Sequence, residues 1–387
     1  MIGAAGAREA PVKGRSPGGP MSEERAAQDQ LECLLRQIDA AETADRLRPI
    51  FLSGVSLLAP QAEGYLDEPE RALMWNARLN RLHDAVIRRA VRLAEAALAA
   101  EGLTPPGGYD VLLFGSGGRG EQSVYSDQDN GIVYETPAPG REEEARSFFL
   151  KLGSAIQESL DRAGYPPCPG KVVCGEPAWC RSLAEWEAQV DAWIEDPTWD
   201  HVRHLLIIAD ARAVAGSGRL AAALAERLRR AAGESPQLCA AMLRNTLHRQ
   251  PVVGPLGNLL RVSYGPHAGG IEIKYGLYVP MVNAVRLLAV MHGVEASGTA
   301  ERIAQLRLRG ALAGRLADDA LRDFANVLYF RSITASEGDA PQSSGIIAAP
   351  LLTRPVRERI RSAIATAKRL HEAGRAAVQQ RGGKIGG

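Results

Sequence analysis

The residues of this 387-residue chain best suited to chemistry are two aspartates, Asp127 and Asp129, that follow the pair Gly115-Ser116 by less than one short loop. The full segment, residues 111–134, reads Val-Leu-Leu-Phe-Gly-Ser-Gly-Gly-Arg-Gly-Glu-Gln-Ser-Val-Tyr-Ser-Asp-Gln-Asp-Asn-Gly-Ile-Val-Tyr. Side chains two apart on an extended chain point the same way, so both carboxylates face one side. Such a pair suits a divalent cation, and Mg²⁺, with Mn²⁺ as its substitute, prefers oxygen ligands together with substrate phosphates. The glycine-rich turn at Gly115, Ser116 and Gly117 lets backbone amides approach phosphate oxygens. Arg119 has two readings: neutralising phosphate charge, or pairing with Glu121 or Asp127.

The same glycines, Gly115-x-Gly117-x-x-Gly120, also spell a dinucleotide-binding fingerprint, with Glu135 near the expected place of its ribose-binding acid. That unit requires a crossover helix with an apolar face, and 121–130 offers only Val124 and Tyr125. Two aspartates there would also repel a pyrophosphate unless a cation intervened. A P-loop is excluded because no Lys-Ser/Thr follows the glycines. The bland alternative is that Asp127 and Asp129 merely cap a turn. The Gly-Ser turn and the apolar runs on either side make the pattern more specific than that.

These residues need rigid elements to position them. Val111 to Phe114 reads as a buried strand and Ile132 to Tyr134 as a second, with Val172-Val173 as a candidate third. A helix over 142–162 begins at Glu142-Glu143-Glu144, where acidic residues suit the helix dipole. Before this unit the pattern is helical, with an apolar stripe of Leu73, Leu79, Leu82, Val86, Val91 and Leu98 over 70–101, stopped by Thr104-Pro105-Pro106-Gly107-Gly108. After it, Ser182 and Glu185 form a capping box. Helices are then expected at 198–213, 219–233, 237–248, 277–292, 299–309, 317–335 and 353–379, the last one basic. The chain thus reads as α+β and mostly helical. Its expected parts are a disordered tail over 1–21, an N-terminal helical region over 22–106, a small α/β core over 107–200 and a helical bundle over 201–380. Met21-Ser22-Glu23-Glu24 reads as a helix start and an alternative translation start.

Composition excludes several partner classes. Net charge is +1 and aromatic content 5%, so neither a basic field nor a stacking surface points to nucleic acid. No apolar run approaches the roughly 20 residues of a membrane helix, and the first twenty residues lack the apolar core of a signal peptide. A cytoplasmic protein is expected. Cys33, Cys168, Cys174, Cys180 and Cys239 match no usual zinc spacing and read as reduced thiols. His201 and His204 lack a nearby third ligand and read as pairing or capping residues.

The Gly-Ser…Asp-x-Asp segment resembles the catalytic motif of polymerase-β-type nucleotidyltransferases. More narrowly, Gly-Ser-Gly-Gly-Arg-Gly-Glu-Gln…Ser-Asp-Gln-Asp-Asn is similar to a nucleotidyltransferase family related to the protein-PII uridylyltransferases. The likeness continues through Cys168-Pro169-Gly170, Pro177-Ala178-Trp179, Leu183-x-x-Trp186 and Asp210-Ala-Arg212-Ala-Val214-x-Gly216. A helical substrate-binding domain matches at Ile271-Glu-Ile-Lys274-x-x-Gly-x-x-Pro280, Ala284-x-Arg286 and Thr299-x-Glu301-Arg302, so the likeness spans most of 70–335. No CBS pair precedes the core, unlike many members, and Glu272 stands where the family usually has Asp.

The resemblance implies a polymerase-β-like core that moves a nucleoside monophosphate, UMP- or AMP-like, from an NTP to an acceptor hydroxyl on a protein or small molecule. Asp127 and Asp129 would hold the metal; Gly115, Ser116, Gly117 and Arg119 would hold the triphosphate. Lys274 and Arg286 would contact the acceptor. The third carboxylate of the superfamily is not evident. Glu176 is one candidate, and Asp210 is another, though its setting inside an apolar helical run favours a structural pairing with Arg212. Two other classes stay open: a nucleotide-binding regulator without turnover, and a helical interaction protein if Asp127 and Asp129 are sealed in salt bridges.

Overall fold

A computed structural model describes residues 20–58, 66, 68–124, 126–166, 168–248, 253, 259–334 and 343–383; the expected tail falls outside this range up to residue 19. Three helices open the chain: α1 (Pro20–Asp39), α2 (Ala44–Leu57) and the long α3 (Pro69–Ala100), which starts with proline at its first turn. Strand β1 (Tyr109–Leu113) follows, then a single tight turn of helix, α4 (Gly115–Gly118), and β2 (Asn130–Tyr134). Helix α5 (Glu142–Arg162) leads to β3 (Cys180–Ser182), α6 (Leu183–Glu195), α7 (Trp199–Ile208) and β4 (Arg212–Ala215). The remainder is helical: α8 (Arg219–Glu234), α9 (Pro236–His248), α10 (Val279–Met291), α11 (Thr299–Leu308), α12 (Gly314–Ser332) and α13 (Arg354–Gly383). Strand β5 (Ile271–Glu272) and a π-helical turn at Lys274–Tyr278 lie ahead of α10, and β5 pairs with β6 (Ile346–Ile347), which lies between α12 and α13.

The main sheet has the order β3-β2-β1-β4. Strand β1 is antiparallel to both β2 and β4, while β2 and β3 are parallel. Antiparallel pairing of β1 with β2 rules out the dinucleotide reading of the glycines, because that unit requires a parallel crossover. Alternation along the strands buries both faces. Val111, Leu113, Ile132 and Tyr134 pack against α3 and α5, whereas Leu112, Phe114 and Val133 meet the side that holds α6, α7 and α8. The helical bundle has its own core around α10 and α12.

Two sequence expectations need correction. Val172-Val173 forms no strand; the Val172 carbonyl accepts from the Asn130 amide, but the third strand is the three-residue Cys180–Ser182. The expected 198–213 helix ends at Ile208, and its last residues begin β4. The sheet therefore draws a strand from beyond residue 200. The capping box is present: the Ser182 hydroxyl accepts from the Glu185 amide, and the Glu185 carboxylate accepts from the Ser182 amide.

Buried polar groups fix the joints. Asp110 on β1 is fully buried and accepts hydrogen bonds from the amides of Gly218, Leu220 and Ala221 at 2.8–3.0 Å, capping α8 from across the sheet. On α3, Asn76, Asn80 and His83 stand at i, i+4 and i+7 within an otherwise apolar face. The Asn80 Oδ1 accepts from the Gln122 amide at 2.8 Å, and both asparagine side chains donate to the Gln122 carbonyl. His83 pairs with the Tyr165 hydroxyl at 2.8 Å and the Ser123 carbonyl at 3.0 Å. The loop leading to Asp127 is thus held by the N-terminal helix.

Burial lowers the His83 pKa to about 4, so the imidazole is neutral in the folded protein. The unfolded chain binds that proton more readily, so the stability tied to neutral His83 is present above about pH 6.5 and is lost as pH falls towards 4. The loss is on the order of 3 kcal/mol. Denaturant unfolding between pH 7 and 4.5 should show this decline, and His83→Gln should flatten it while lowering stability at pH 7.

Candidate active site

Strand β1 ends at Leu113, and the chain then turns sharply at Gly115, whose φ is +51°. A Cβ placed there would lie 2.8 Å from the Asp129 Oδ2, so both the backbone angle and the space demand glycine. The Phe114 amide donates to the Asp129 carbonyl at 2.9 Å, extending the β1–β2 pairing just far enough to bring the carboxylates beside the turn. Arg212 fastens the turn from behind: its guanidinium donates to the Gly117 carbonyl at 2.9 Å and forms a two-pronged pair with Asp84 of α3. This corrects the expected Asp210–Arg212 pairing.

A cavity of about 410 Å³ opens in front of the turn. Gly115, Ser116, Arg119, Asp127 and Asp129 line it from the α/β side, and Lys274, Arg286 and Arg331 from the helical side. Asp127 and Asp129 are half-buried and, among the described residues, engage in no ion pair. The sealed salt-bridge arrangement that would mark a plain interaction protein is therefore absent from the described residues. Gly117 sits behind the turn, lining a pocket of about 10 Å³ with the buried Gln122 and Gln128. Glu176 does not line the cavity; it sits in the loop before β3, its amide bonded to the Val173 carbonyl. Among the described residues no group of three His, Cys, Asp or Glu side chains is gathered as a ready metal site.

Burial raises the Asp129 pKa to about 6, opposed by a hydrogen bond from the Cys168 thiol and reinforced by the charge of Asp127. Burial and the Asp129 carboxylate push Cys168 up to about 11. Asp129 is a carboxylate short of positive charge, which is the condition a divalent cation would relieve.

Asp210, the other candidate third carboxylate, does different work. It is fully buried and meets three guanidiniums: Arg286 at 2.6 and 2.9 Å, Arg302 at 2.8 Å, and Arg119. Burial alone would raise its pKa, but Arg286, Arg119 and Arg302 outweigh that and hold it well below the usual carboxylate range. Arg119 also reaches Glu121 at 2.8 Å and the Tyr278 hydroxyl at 2.7 Å, while Glu121 accepts from Tyr278 at 2.6 Å and from the Thr299 amide at 2.7 Å. Arg331 donates to the Glu121 carbonyl and lies 4.0 Å from the Tyr278 ring centroid. Three buried arginines thus share two carboxylates, and Arg331 adds a fourth guanidinium through the Glu121 backbone carbonyl, which leaves excess positive charge behind the cavity wall. Sequence reasoning named Arg119, Arg286 and Arg302 but missed Arg331 and the Asn76/Asn80/His83 clamp. Polar residues recurring at helical spacing within an apolar stripe were the signal for the clamp.

The family described as putative nucleotidyltransferase DUF294 matches residues 58–200, and that described as putative nucleotidyltransferase substrate binding domain matches residues 236–378. The chain belongs to this two-domain nucleotidyltransferase family. No curated protein matches it. Among the described residues no helix is long and apolar enough to cross a membrane.

Two substitutions separate framework from site. Asp210→Asn leaves three buried guanidiniums without their counter-charge and should cost about 3–5 kcal/mol, read as a lower urea midpoint. Asp129→Asn removes an uncompensated charge, so at pH 8 without divalent cation it should leave the melting temperature unchanged or raise it. The sign follows from a raised folded pKa, which destabilises the ionised form above about pH 6.

Proposed function

We propose that the protein transfers a nucleoside monophosphate from an NTP to an acceptor hydroxyl, with release of pyrophosphate and dependence on Mg²⁺. The observation that supports this most is the meeting of Gly115, Ser116, Asp127 and Asp129 on one cavity with Lys274 and Arg286. A magnesium triphosphate needs oxygen ligands, a close backbone and surrounding positive charge, and each wall supplies one of these. Asp127 and Asp129 fit the cation by donor chemistry and by the charge deficit at Asp129; Mn²⁺ suits the same oxygens. When bound, the cation would neutralise phosphate charge and fix the reacting groups in line.

The chain's own residues then divide the rest. The amides at the start of the Gly115 turn have no acceptors one helical turn back and are available to phosphate oxygens. Arg119 is engaged on three sides, so it acts by adding charge at the wall and positioning Asp210 and Tyr278 rather than by swinging onto substrate. Lys274 is half-buried, and no carboxylate among the described residues pairs with it, which leaves its ammonium available to a phosphate or to the acceptor. The shared cavity favours a helical half that serves the nucleotide as well as the acceptor. A UMP- or AMP-like donor, an acceptor on a regulatory protein and a cytoplasmic signalling role belong to this same proposal.

A second reading, a nucleotide-binding regulator without turnover, is favoured by one observation: Glu176 lies off the cavity and Asp210 is saturated by arginines, so among the described residues neither candidate third carboxylate joins the pair. Pyrophosphate release measured with each of four NTPs and Mg²⁺, using cell extract as acceptor source, separates the two. Transfer predicts release that Asp127→Asn lowers by about 100-fold or more. Nucleotide binding that needs Mg²⁺ but never yields pyrophosphate would establish the regulator instead.

A further inference from the structure

We infer that Arg331 is the polyphosphate clamp of the cavity, its guanidinium binding phosphate oxygens of the donor nucleotide. This deepens the nucleotide-transfer reading and rests on it. Four arginines gather at the cavity wall, and three of them are fully engaged. Arg119, Arg286 and Arg302 each bond through all of their side-chain nitrogens, and each pairs with Asp210. Arg331 differs. It lines the cavity and is only 7% exposed, yet among the described residues no carboxylate pairs with it. Its one hydrogen bond runs from Nη1 to a neutral acceptor, the Glu121 carbonyl, at 2.8 Å, and Nε and Nη2 have no bond among the described residues. Neither nitrogen is sealed in, because the buried polar atoms left without a partner belong to other residues. A buried guanidinium that no carboxylate neutralises, with two donors still open on a cavity, is a site for an anion.

Its placement ties it to the phosphate end of the cavity. The Glu121 amide donates to the Ser116 carbonyl at 2.8 Å, and the Glu121 carbonyl is the acceptor for Arg331. A single residue thus links the guanidinium to the Gly115-Ser116 turn. The next amide, that of Gln122, donates to Asn80 of α3 at 2.8 Å, so the peptide that holds the arginine is itself fixed from behind. The guanidinium carbon lies 4.0 Å from the Tyr278 ring centroid, and the Tyr278 hydroxyl is held by Arg119 and Glu121. Ring and carbonyl position the guanidinium without cancelling its charge. The planar edge that remains matches two oxygens of one phosphate, a geometry that a lysine ammonium does not supply.

Hydrogen bonds between charged groups contribute enough that losing this contact should weaken binding on the order of 10- to 100-fold. Calorimetric titration of the full chain with Mg²⁺ and each of the four NTPs, and in parallel with Mg²⁺ and inorganic tripolyphosphate, tests the clamp. Arg331→Gln should raise every Kd by the same factor, because the contact is to phosphate and not to base or sugar. Arg331→Lys, which keeps the charge and loses the fork, should recover part of that loss. Added salt should weaken binding by the unmodified protein more steeply than binding by Arg331→Gln, a difference that a packing role would not produce. The clamp is overturned if Arg331→Gln leaves the Kd for tripolyphosphate unchanged, if its loss is confined to one nucleotide, or if only the KM for acceptor rises. It falls as well if neither variant folds, since the guanidinium then serves the fold. In each of these cases pyrophosphate release by the unmodified protein keeps the transfer reading standing. Conversely, tripolyphosphate binding that needs Arg331, without pyrophosphate release from any NTP, keeps the clamp and ends transfer. Binding of no NTP and no tripolyphosphate would end both together.

Discussion

The carboxylate of Asp210 sits where the α/β core meets the helical bundle, just past the end of α7, and it gathers guanidiniums from three directions. Arg119 comes from the glycine turn, Arg286 from α10 and Arg302 from α11. Removing an ion from water is costly, and only close, well-bonded partners offset it. The two halves therefore cannot separate slightly; either the whole set of contacts is made or three arginines are stranded. Backbone sterics enforce the same fit. A Cβ on Gly118 would come within 1.9 Å of the Asp210 carbonyl, so the turn and the residue it faces approach as closely as peptide groups can. Every feature of the cavity, from the angle of the turn to the reach of Arg286, is set against this junction.

Around it the structure separates the charge that holds from the charge that serves. Asp210 and Glu121 are consumed by internal partners, whereas Asp127 and Asp129 are left facing space with no cation among the described side chains paired to them. Glu121 lies only a few residues before Asp127 and Asp129, yet their surroundings assign them opposite roles. The N-terminal helices contribute through α3, whose Asn80 and His83 hold the loop that carries the second pair. A helical region with no chemistry of its own thereby determines where the carboxylates point.

Much of this was legible in the sequence. Apolar periodicity located α3, α5 and the helices after α7 to within a few residues, and Ser182 with Glu185 announced the start of α6. The grouping of Gly115, Ser116, Asp127 and Asp129 on one cavity follows from two paired strands, one ending in the glycine turn and the other preceded by the two aspartates. What failed did so for local reasons. Strand β4 follows an apolar helix with barely a break, and Ala211, Ala213 and Ala215 do not announce a strand. Val172-Val173 has strand-like residues but only touches the ladder through one carbonyl. The partners of Asp210 lie 76 to 92 residues away in sequence, and no spacing rule reaches that far. Sequence favours Glu176 as the metal candidate and Asp210 as a structural residue; only the surroundings of each show that neither lines the cavity.

The order of strands in the sheet bears on how the chain is made. Strand β1 lies between β2, which follows it closely, and β4, which begins only at Arg212. On a ribosome working from the N-terminus, β1 can pair with β2 early, but its other edge, Val111-Leu112-Leu113, waits for about a hundred more residues. Unpaired apolar edges of that kind are templates for wrong pairing. The nascent protein therefore passes through an interval in which this buried strand is open on one side, and pairing with β4, secured by the joint of Asp110 with α8, closes that interval.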